Sequence, residues 1–411
     1  MRSYSFFTIV FLCIAILVVD VFAFYWVQSI TAFFNSGLLK KLINITFWVF
    51  SIGLIASILI LKYRLDHISR QRKFLLITSL YGVAISSFIP KLVFVTVISI
   101  LYFTNRVVTG NESAILILLV GLVSGFFPFF IILYAIFRSL YRFKLHTISL
   151  HFPHLPQNFD GLRIIHISDA HLGSFNYRYH IFDRAIKMIN DANPDLILFT
   201  GDLVNNFASE LDGWKETFQQ LKAAKGKFAV LGNHDYGDYS KWNSAADKKD
   251  NFEAIKDFYG SIGFQLLLNE AAIIENENAN IAILGVENWG HPPFMQYGNL
   301  NKAMQQIQQT PFKILLSHDP SHWPQEVTKQ TNIALTLSGH THGMQAGIKI
   351  MSKSWSPIKY KYKHWAGLYK QNDQYLYVNR GLGWLGFPGR LGMRPEITLI
   401  ELFQSKSNGK N

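Results

Sequence analysis

One cysteine, Cys13, occurs in the 411 residues, inside an apolar run. A disulfide within the chain and a thiolate metal site are both excluded. Acidic side chains are also scarce, with 27 Asp and Glu against 39 Lys and Arg, a formal charge of +12. That surplus needs no nucleic-acid partner, because no nucleic-acid-binding motif is present and the loops between apolar runs supply much of it. There is no internal repeat. The only loose polar piece is a short tail, 405–411, rich in Ser, Asn, Gly and Lys, expected to be flexible.

Apolar residues are plentiful, 49% of the chain, and concentrate at the front. Phe6–Val27, Ile45–Leu61 and Ala114–Phe137 each approach the length that crosses a bilayer. Phe74–Phe103 is longer and is broken only by Pro90 and Lys91. Split at Pro90 it would leave pieces too short to cross comfortably, so it reads as one Pro-kinked span. Residues 1–144 are thus expected to hold four spans. Val21–Ala23 faintly resembles a signal-peptide cleavage site, but Asp20 precedes it and more spans follow, so the first run reads as an uncleaved anchor.

Loop charge gives the orientation. Lys62, Arg64, Arg70, Arg72 and Lys73 lie between the second and third spans, and Arg138, Arg142 and Lys144 follow the fourth. The other loops offer Lys40, Lys41 and Arg106. The positive-inside rule then puts both termini, and the polar half of the chain, in the cytoplasm. Asp20 and Lys91 fall well inside spans, at comparable depth in this topology, which allows a mutual pair.

After a linker at 145–160, containing Pro153 and Pro156, strand-like and helix-like runs alternate through 161–404. Leu162–Ser168, Asp195–Thr200 and Lys227–Leu231 read as strands, and Arg178–Ala192, Ser209–Ala224 and Asn251–Ile262 as helices. Strands then dominate, which implies two packed sheets with helices outside.

Five of the strand-like runs end in polar blocks: Asp169-Ala-His171, Gly-Asp202, Gly-Asn233-His234, Ser-His318-Asp and Gly-His340-Thr-His342. Singly, each has a bland reading, with Asp169 a turn residue or Asp202 a helix cap. Together they bring oxygen and imidazole donors to one edge of an α/β sheet, where ligand sites lie beyond the carboxyl ends of strands. Such a set suits divalent Mn, Fe or Zn.

The blocks DAH, GDLVNN, GNHD, SHD and GHTH, in that order from about Leu162 to about Leu402, resemble the metallophosphoesterase (calcineurin-like phosphoesterase) superfamily. The ending GLGWLGFPGRLGMRPEITLIEL resembles its membrane-attached bacterial branch. The resemblance implies a four-layer α/β/β/α sandwich behind an all-α region of about four transmembrane helices, placed in a bacterial inner membrane. It implies two divalent cations, one held by Asp169, His171, Asp202 and His342, the other by Asp202, Asn233, His318 and His340. Asp202 would bridge them. His234 would be the general acid or a proton-bearing clamp on the phosphoryl group. Many relatives carry GDxxD, whose second Asp orients that histidine; here Asn205 stands in its place. Either Asp235 substitutes, or His234 is a weaker acid–base group.

Arg380, Arg390 and Arg394 lie near the Gly-rich ending, and Arg394 is the candidate substrate contact. Lys353–Trp365 alternates Lys and Tyr and reads as one strand with a basic and an aromatic face, either a lipid-interface element or a protected edge strand. The function expected is hydrolysis of a phosphodiester or pyrophosphate, extending to an amphiphilic, lipid-linked substrate at the bilayer. The alternatives are a catalytically silent membrane sensor or scaffold, and a transporter with a regulatory domain.

Overall fold

The structure, a computed structural model, describes residues 6–64, 68, 70–108, 114–175, 179–292, 294–305, 307–350 and 353–405. Arg178, parts of two interhelical loops and 406–411 of the expected tail lie outside the described residues. Two compact units emerge. One covers Arg2–Arg138 with Gly386–Gly389, the other Ser139–Leu385 with Arg390–Asn411.

The first unit consists of α1 (Phe6–Thr31), α2 (Gly37–Arg64), α3 (Arg70–Val108) and α4 (Ala114–Phe137), each long and apolar enough to cross a membrane. Helix α3 runs unbroken through Pro90, so the third run is one span. Lys91 Nζ lies 2.7 Å from Asp20 Oδ1 and 3.3 Å from Ser51 Oγ, joining α3 to α1 and α2. In a medium without water, that contact offsets the cost of both charges. On α4, a Cβ at Gly121 or Gly125 would come within 2.9 Å of Ile98 or Phe94, so the glycines let α4 approach α3 closely.

The second unit contains β1 (Lys144–Phe152), β2 (Leu162–Ile167), α5 (His180–Asp191), β3 (Leu196–Phe199), α6 (Lys215–Gln219), β4 (Gly226–Ala229), α7 (Ala245–Ser261), β5 (Gln265–Leu266), β6 (Glu270–Asn276), β7 (Ala279–Gly285), α8 (Leu300–Met304), β8 (Lys313–Leu316), β9 (Leu335–Ser338), β10 (Ile348–Ile350), β11 (Lys353–Trp355), β12 (Gly367–Gln371), β13 (Gln374–Val378) and β14 (Glu396–Gln404). One six-stranded sheet has the order β1-β14-β2-β3-β4-β5, the other β12-β13-β9-β8-β7-β6. β2, β3 and β4 run parallel, as do β7, β8, β9 and β13.

Period-2 alternation sends Ile164, Leu196, Leu198 and Ile400 of the first sheet, and Ile283, Ile314, Leu316 and Leu337 of the second, into one shared core. The opposite faces take the helices. Phe199 meets Tyr259 of α7, while Leu284, Leu315 and Val378 pack with Leu300 and Ala303 of α8 and with Trp323. This is the four-layer α/β/β/α sandwich. Each fully buried Leu or Ile contributes about 2 kcal/mol by removal from water.

Several local expectations are corrected. Residues 144–152 are not linker: β1 pairs in parallel with β14 over its whole length and buries Leu150 and Phe152 in the core. The expected helix 209–224 is a 3-10 turn, Ala208–Leu211, followed by α6, because Gly213 between them sits at φ 80°. Helix α7 starts earlier than Asn251, where the Ser244 side chain accepts from Asp247 N at 3.0 Å. Lys353–Trp365 is not one strand. It holds β11, paired with β10, and then a 3-10 turn from Pro357 to Tyr360. Pro357 cannot supply a ladder N–H, so pairing stops there.

Candidate metal and phosphoester site

The parallel strands set the site. β2, β3, β8 and β9 deliver Asp169, Asp202, His318 and His340 just past their carboxyl ends. There the backbone turns sharply. Asp169 (φ 48°), His171 (43°), Asp202 (59°), His340 (70°) and His342 (50°) all adopt the left-handed conformation. Each such non-glycine residue costs roughly 1 kcal/mol. The strain is held by hydrogen bonds between loops: Asp169 N to Gly201 O at 2.9 Å, His171 N to Asp202 O at 3.1 Å and Gly383 N to Asp169 O at 2.7 Å. Glycines permit this stacking. A Cβ at Gly232 would fall 2.2 Å from Asp202 Oδ1, and one at Gly339 1.9 Å from Ser168 Oγ.

Asp169, His171 and His342 form one donor cluster, and Asp169, Asp202 and His318 another, with donor atoms in each within 4.8 Å of one another and every residue buried. His171 Nε2 lies 3.1 Å from His342 Nε2 and 3.5 Å from Asp202 Oδ2. His342 Nε2 lies 3.2 Å from Asp169 Oδ1. His318 directs Nδ1 at Thr200 O (2.7 Å), which leaves Nε2 3.2 Å from Asp202 Oδ2. That Nε2 makes no hydrogen bond. His340 Nδ1 is 2.8 Å from Asn233 Oδ1, and Asn233 Nδ2 donates to Tyr239 Oη at 2.9 Å.

Electrostatics matches a cation site. Burial pushes the Asp202 and Asp169 carboxyls up, yet neighbouring histidines (His318 and His234 at Asp202, His342 at Asp169) hold both below the usual range. Burial takes His171 down to about 3 despite Asp202. At His318 burial is overcome by Asp202, and the ring is pushed up to about 10. A divalent cation would take the place of the protons now shared between His171 and His342 and between His318 and Asp202. The donors present therefore fit divalent cations.

His234 places Nδ1 2.7 Å from the backbone carbonyl of Asn205, while its backbone N–H donates to Asp202 Oδ1 at 2.8 Å. Burial lowers its pKa. The Asn205 side chain is not the ring's partner: its Oδ1 accepts from Ser174 Oγ at 3.3 Å. Asp235 does not substitute either. Its carboxylate accepts four backbone N–H groups, from Asp202, Leu203, Val204 and Gly232. Burial and the Asp202 charge push it up to about 7. Glu210 clamps the neighbouring turn through the N–H groups of Asn205, Asn206 and Phe207.

Arg394 donates to Arg142 O at 2.8 Å and Phe143 O at 3.1 Å. Arg390, fully buried, is the arginine beside the site: its Nη2 lies 3.4 Å from His342 Nδ1, and it donates to carbonyls of Gly383 and Met393. Tyr362, Tyr239 and Asp319 were not anticipated as site residues. Tyr362 Oη lies 2.8 Å from His340 Nε2, and Asp319 Oδ2 lies 3.8 Å from the same atom. Asp319 directly follows His318 and was legible in that sense; the two tyrosines arrive from loops with no strand-end signature.

Residues 162–344 match the family model described as calcineurin-like phosphoesterase. The chain is 30% identical over 263 residues to the uncharacterized metallophosphoesterase YkuE of Bacillus subtilis, covering 60% of this chain and 81% of that protein. It is also 30% identical over 270 residues to a transmembrane protein with metallophosphoesterase domain from Danio rerio, covering 64% of this chain and 58% of that one. Phosphodiesterase YaeI of Escherichia coli is 28% identical over 245 residues, with 58% and 82% covered.

Proposed function

Because this chain belongs to the calcineurin-like phosphoesterase family, we propose that it is a membrane-anchored, binuclear phosphodiesterase or pyrophosphatase of the bacterial inner membrane. Its catalytic domain lies on the cytoplasmic side, and its substrate is an amphiphilic, lipid-linked phosphoester. The observation that carries this reading is the buried approach of His171 Nε2 to His342 Nε2 at 3.1 Å beside Asp169 and Asp202.

One divalent cation, Mn, Fe or Zn, would be held by Asp169, His171, Asp202 and His342, and a second by Asp202, Asn233, His318 and His340. When bound, such a pair lowers the pKa of water and neutralises charge on phosphoryl oxygens. The chain's own residues do the rest. Thr200 O holds His318 in the tautomer that frees Nε2. Asp235 fixes the loop that carries Asp202. His234 keeps a proton on Nδ1 against Asn205 O, leaving Nε2 to protonate the leaving oxygen. A carbonyl partner orients the ring without stabilising imidazolium as a carboxylate would, so the protonated form is less populated at neutral pH. Arg390 keeps the Gly383 loop against Asp169 and His342. A catalytically silent scaffold would have no reason to maintain five strained left-handed residues around such a cluster.

The test is a screen of purified, Mn-loaded full-length protein against phosphodiesters, phosphomonoesters and lipid pyrophosphates. Hydrolysis of diesters or pyrophosphates supports the assignment. Monoester hydrolysis alone contradicts the bond type, and no hydrolysis with metal bound contradicts the enzyme. A reporter fused after Gln404 reads the orientation: a periplasmic signal contradicts it.

A further inference from the structure

Around the turn that carries His340 and His342, the second unit exposes large apolar side chains. Met344 is 52% exposed, Ile348 51%, Trp355 41%, Tyr360 78% and Leu391 36%. They form one surface. Ile348 is the cross-strand partner of Trp355, Gly347 N bonds Leu391 O at 2.9 Å, and Lys359 Nζ lies 6.0 Å from the Trp355 ring and 5.1 Å from that of Tyr360. Such a patch on a soluble surface marks an interaction site.

Its charge is one-sided. Residues 343–372 contain six lysines and neither Asp nor Glu. Lys359, Lys361 and Lys363 are exposed beside the aromatic rings. Protein partners of mixed charge do not require so complete an exclusion of acid; an anionic, partly apolar surface does. Trp and Tyr with Lys is the mixture that settles at lipid headgroups, rings at the acyl boundary and ammonium groups toward phosphates. The same chain carries four helices long enough to cross a membrane, so a bilayer is always within reach. Tyr362, between two of the lysines, contacts His340 at 2.8 Å and links this surface to the candidate metal cluster.

We propose that Met344, Ile348, Trp355, Tyr360 and Leu391, rimmed by Lys359, Lys361 and Lys363, form a docking surface for the anionic headgroup layer of the bilayer. Docking would hold the site at the depth where the phosphate of a lipid-linked substrate lies. The docking itself rests on the chain's membrane attachment and not on its being a phosphoesterase; the substrate depth rests on the proposed function.

The test uses the full-length chain with Cys13→Ala, which removes the only native thiol. An environment-sensitive fluorophore is attached at Tyr360→Cys or, as a control, at Asn278→Cys in the β6–β7 turn. Each protein is placed in nanodiscs of phosphatidylcholine with and without phosphatidylglycerol, and brominated lipids serve as quenchers. Residue 360 should show a blue-shifted emission, lost on brominated lipid and strengthened by phosphatidylglycerol, while residue 278 shows neither. Lys359→Glu with Lys361→Glu should weaken the quenching at 360 without changing hydrolysis of a small soluble diester in detergent. Equal responses at 360 and 278, or quenching indifferent to both the anionic lipid and the lysine reversals, would overturn the proposal. The soluble-diester rate separates that failure from a failure of the enzymatic reading.

Discussion

His171 and His342 stack at 4.9 Å between ring centroids with their Nε2 atoms 3.1 Å apart, although 170 positions of sequence separate them. A neutral Nε2–H on one ring would bond the lone pair of the other; a cation bound there would take that proton's place, beside the buried carboxylates of Asp169 and Asp202. The geometry is that of a site organised for a cation.

Proton linkage gives a prediction on the other side of the cluster. The raised pKa of His318, about 10, means that the metal-free protein holds a proton there at pH 7. Its stabilising contribution is full below the unfolded value near 6.5 and is lost as pH rises through about 10. Metal must displace that proton, so affinity rises with pH over this window, and binding at pH 7 releases about one proton. Calorimetry in buffers of different ionisation enthalpy measures the release. Proton uptake would contradict the assigned state of His318.

His234→Ala should retain both metals and slow hydrolysis by about a hundredfold or more, the usual scale of general acid catalysis. The loss should shrink for nitrophenyl esters, whose leaving groups need little protonation. Equal losses across leaving groups would place His234 on the phosphoryl oxygens instead. Since His234 bonds the carbonyl of residue 205 and not its side chain, Asn205→Asp should leave the form of the pH–rate profile unchanged. A strongly raised His234 pKa in that variant would contradict the contact.

Tyr362→Phe removes the partner of His340 Nε2. Loss of an outer partner of a metal-binding histidine commonly costs about 10- to 100-fold in affinity. The expected result is weaker binding of one cation with the other retained, read by metal titration. Unchanged affinity for both would show that Tyr362 does not orient a ligand.

In the helical unit, Asp20→Asn leaves Lys91 without its countercharge and should destabilise the folded helices by about 3 kcal/mol. Asp20→Asn combined with Lys91→Leu should recover most of that loss, because the uncompensated charge is gone. Thermal unfolding in detergent provides the comparison, and additive losses would show that the two side chains are not coupled.

The reading of the sequence succeeded where signals are local. Strand-end motifs sit beside the runs that carry them, so Asp169, Asp202, His318 and His340 could be placed at strand ends before any pairing was known, although β2 and β3 belong to one sheet and β8 and β9 to the other. The spans likewise follow from continuous apolar length, and α3 passes through Pro90 as expected because splitting would leave fragments too short to cross. Non-local pairing was hidden. β1 looked like linker because Pro153 and Pro156 follow it, and its partner β14 lies about 250 positions away in the same sheet. Tyr362 reaches His340 from a turn whose Lys–Tyr alternation suggested a longer strand, and nothing in the pattern marked Pro357 as its end. The bonds from Arg394 to backbone carbonyls of Arg142 and Phe143 were hidden for the same reason, since they depend on β1 being in the sheet.

The central claim is that Asp202 is shared by two cations on which hydrolysis depends. Metal content by mass spectrometry, measured beside diester hydrolysis on the same preparation of Asp202→Asn, tests it most directly. About two metal ions per chain are expected in the wild type, and loss of metal together with activity in the variant. Full metal content, or full activity, in Asp202→Asn would contradict the binuclear account.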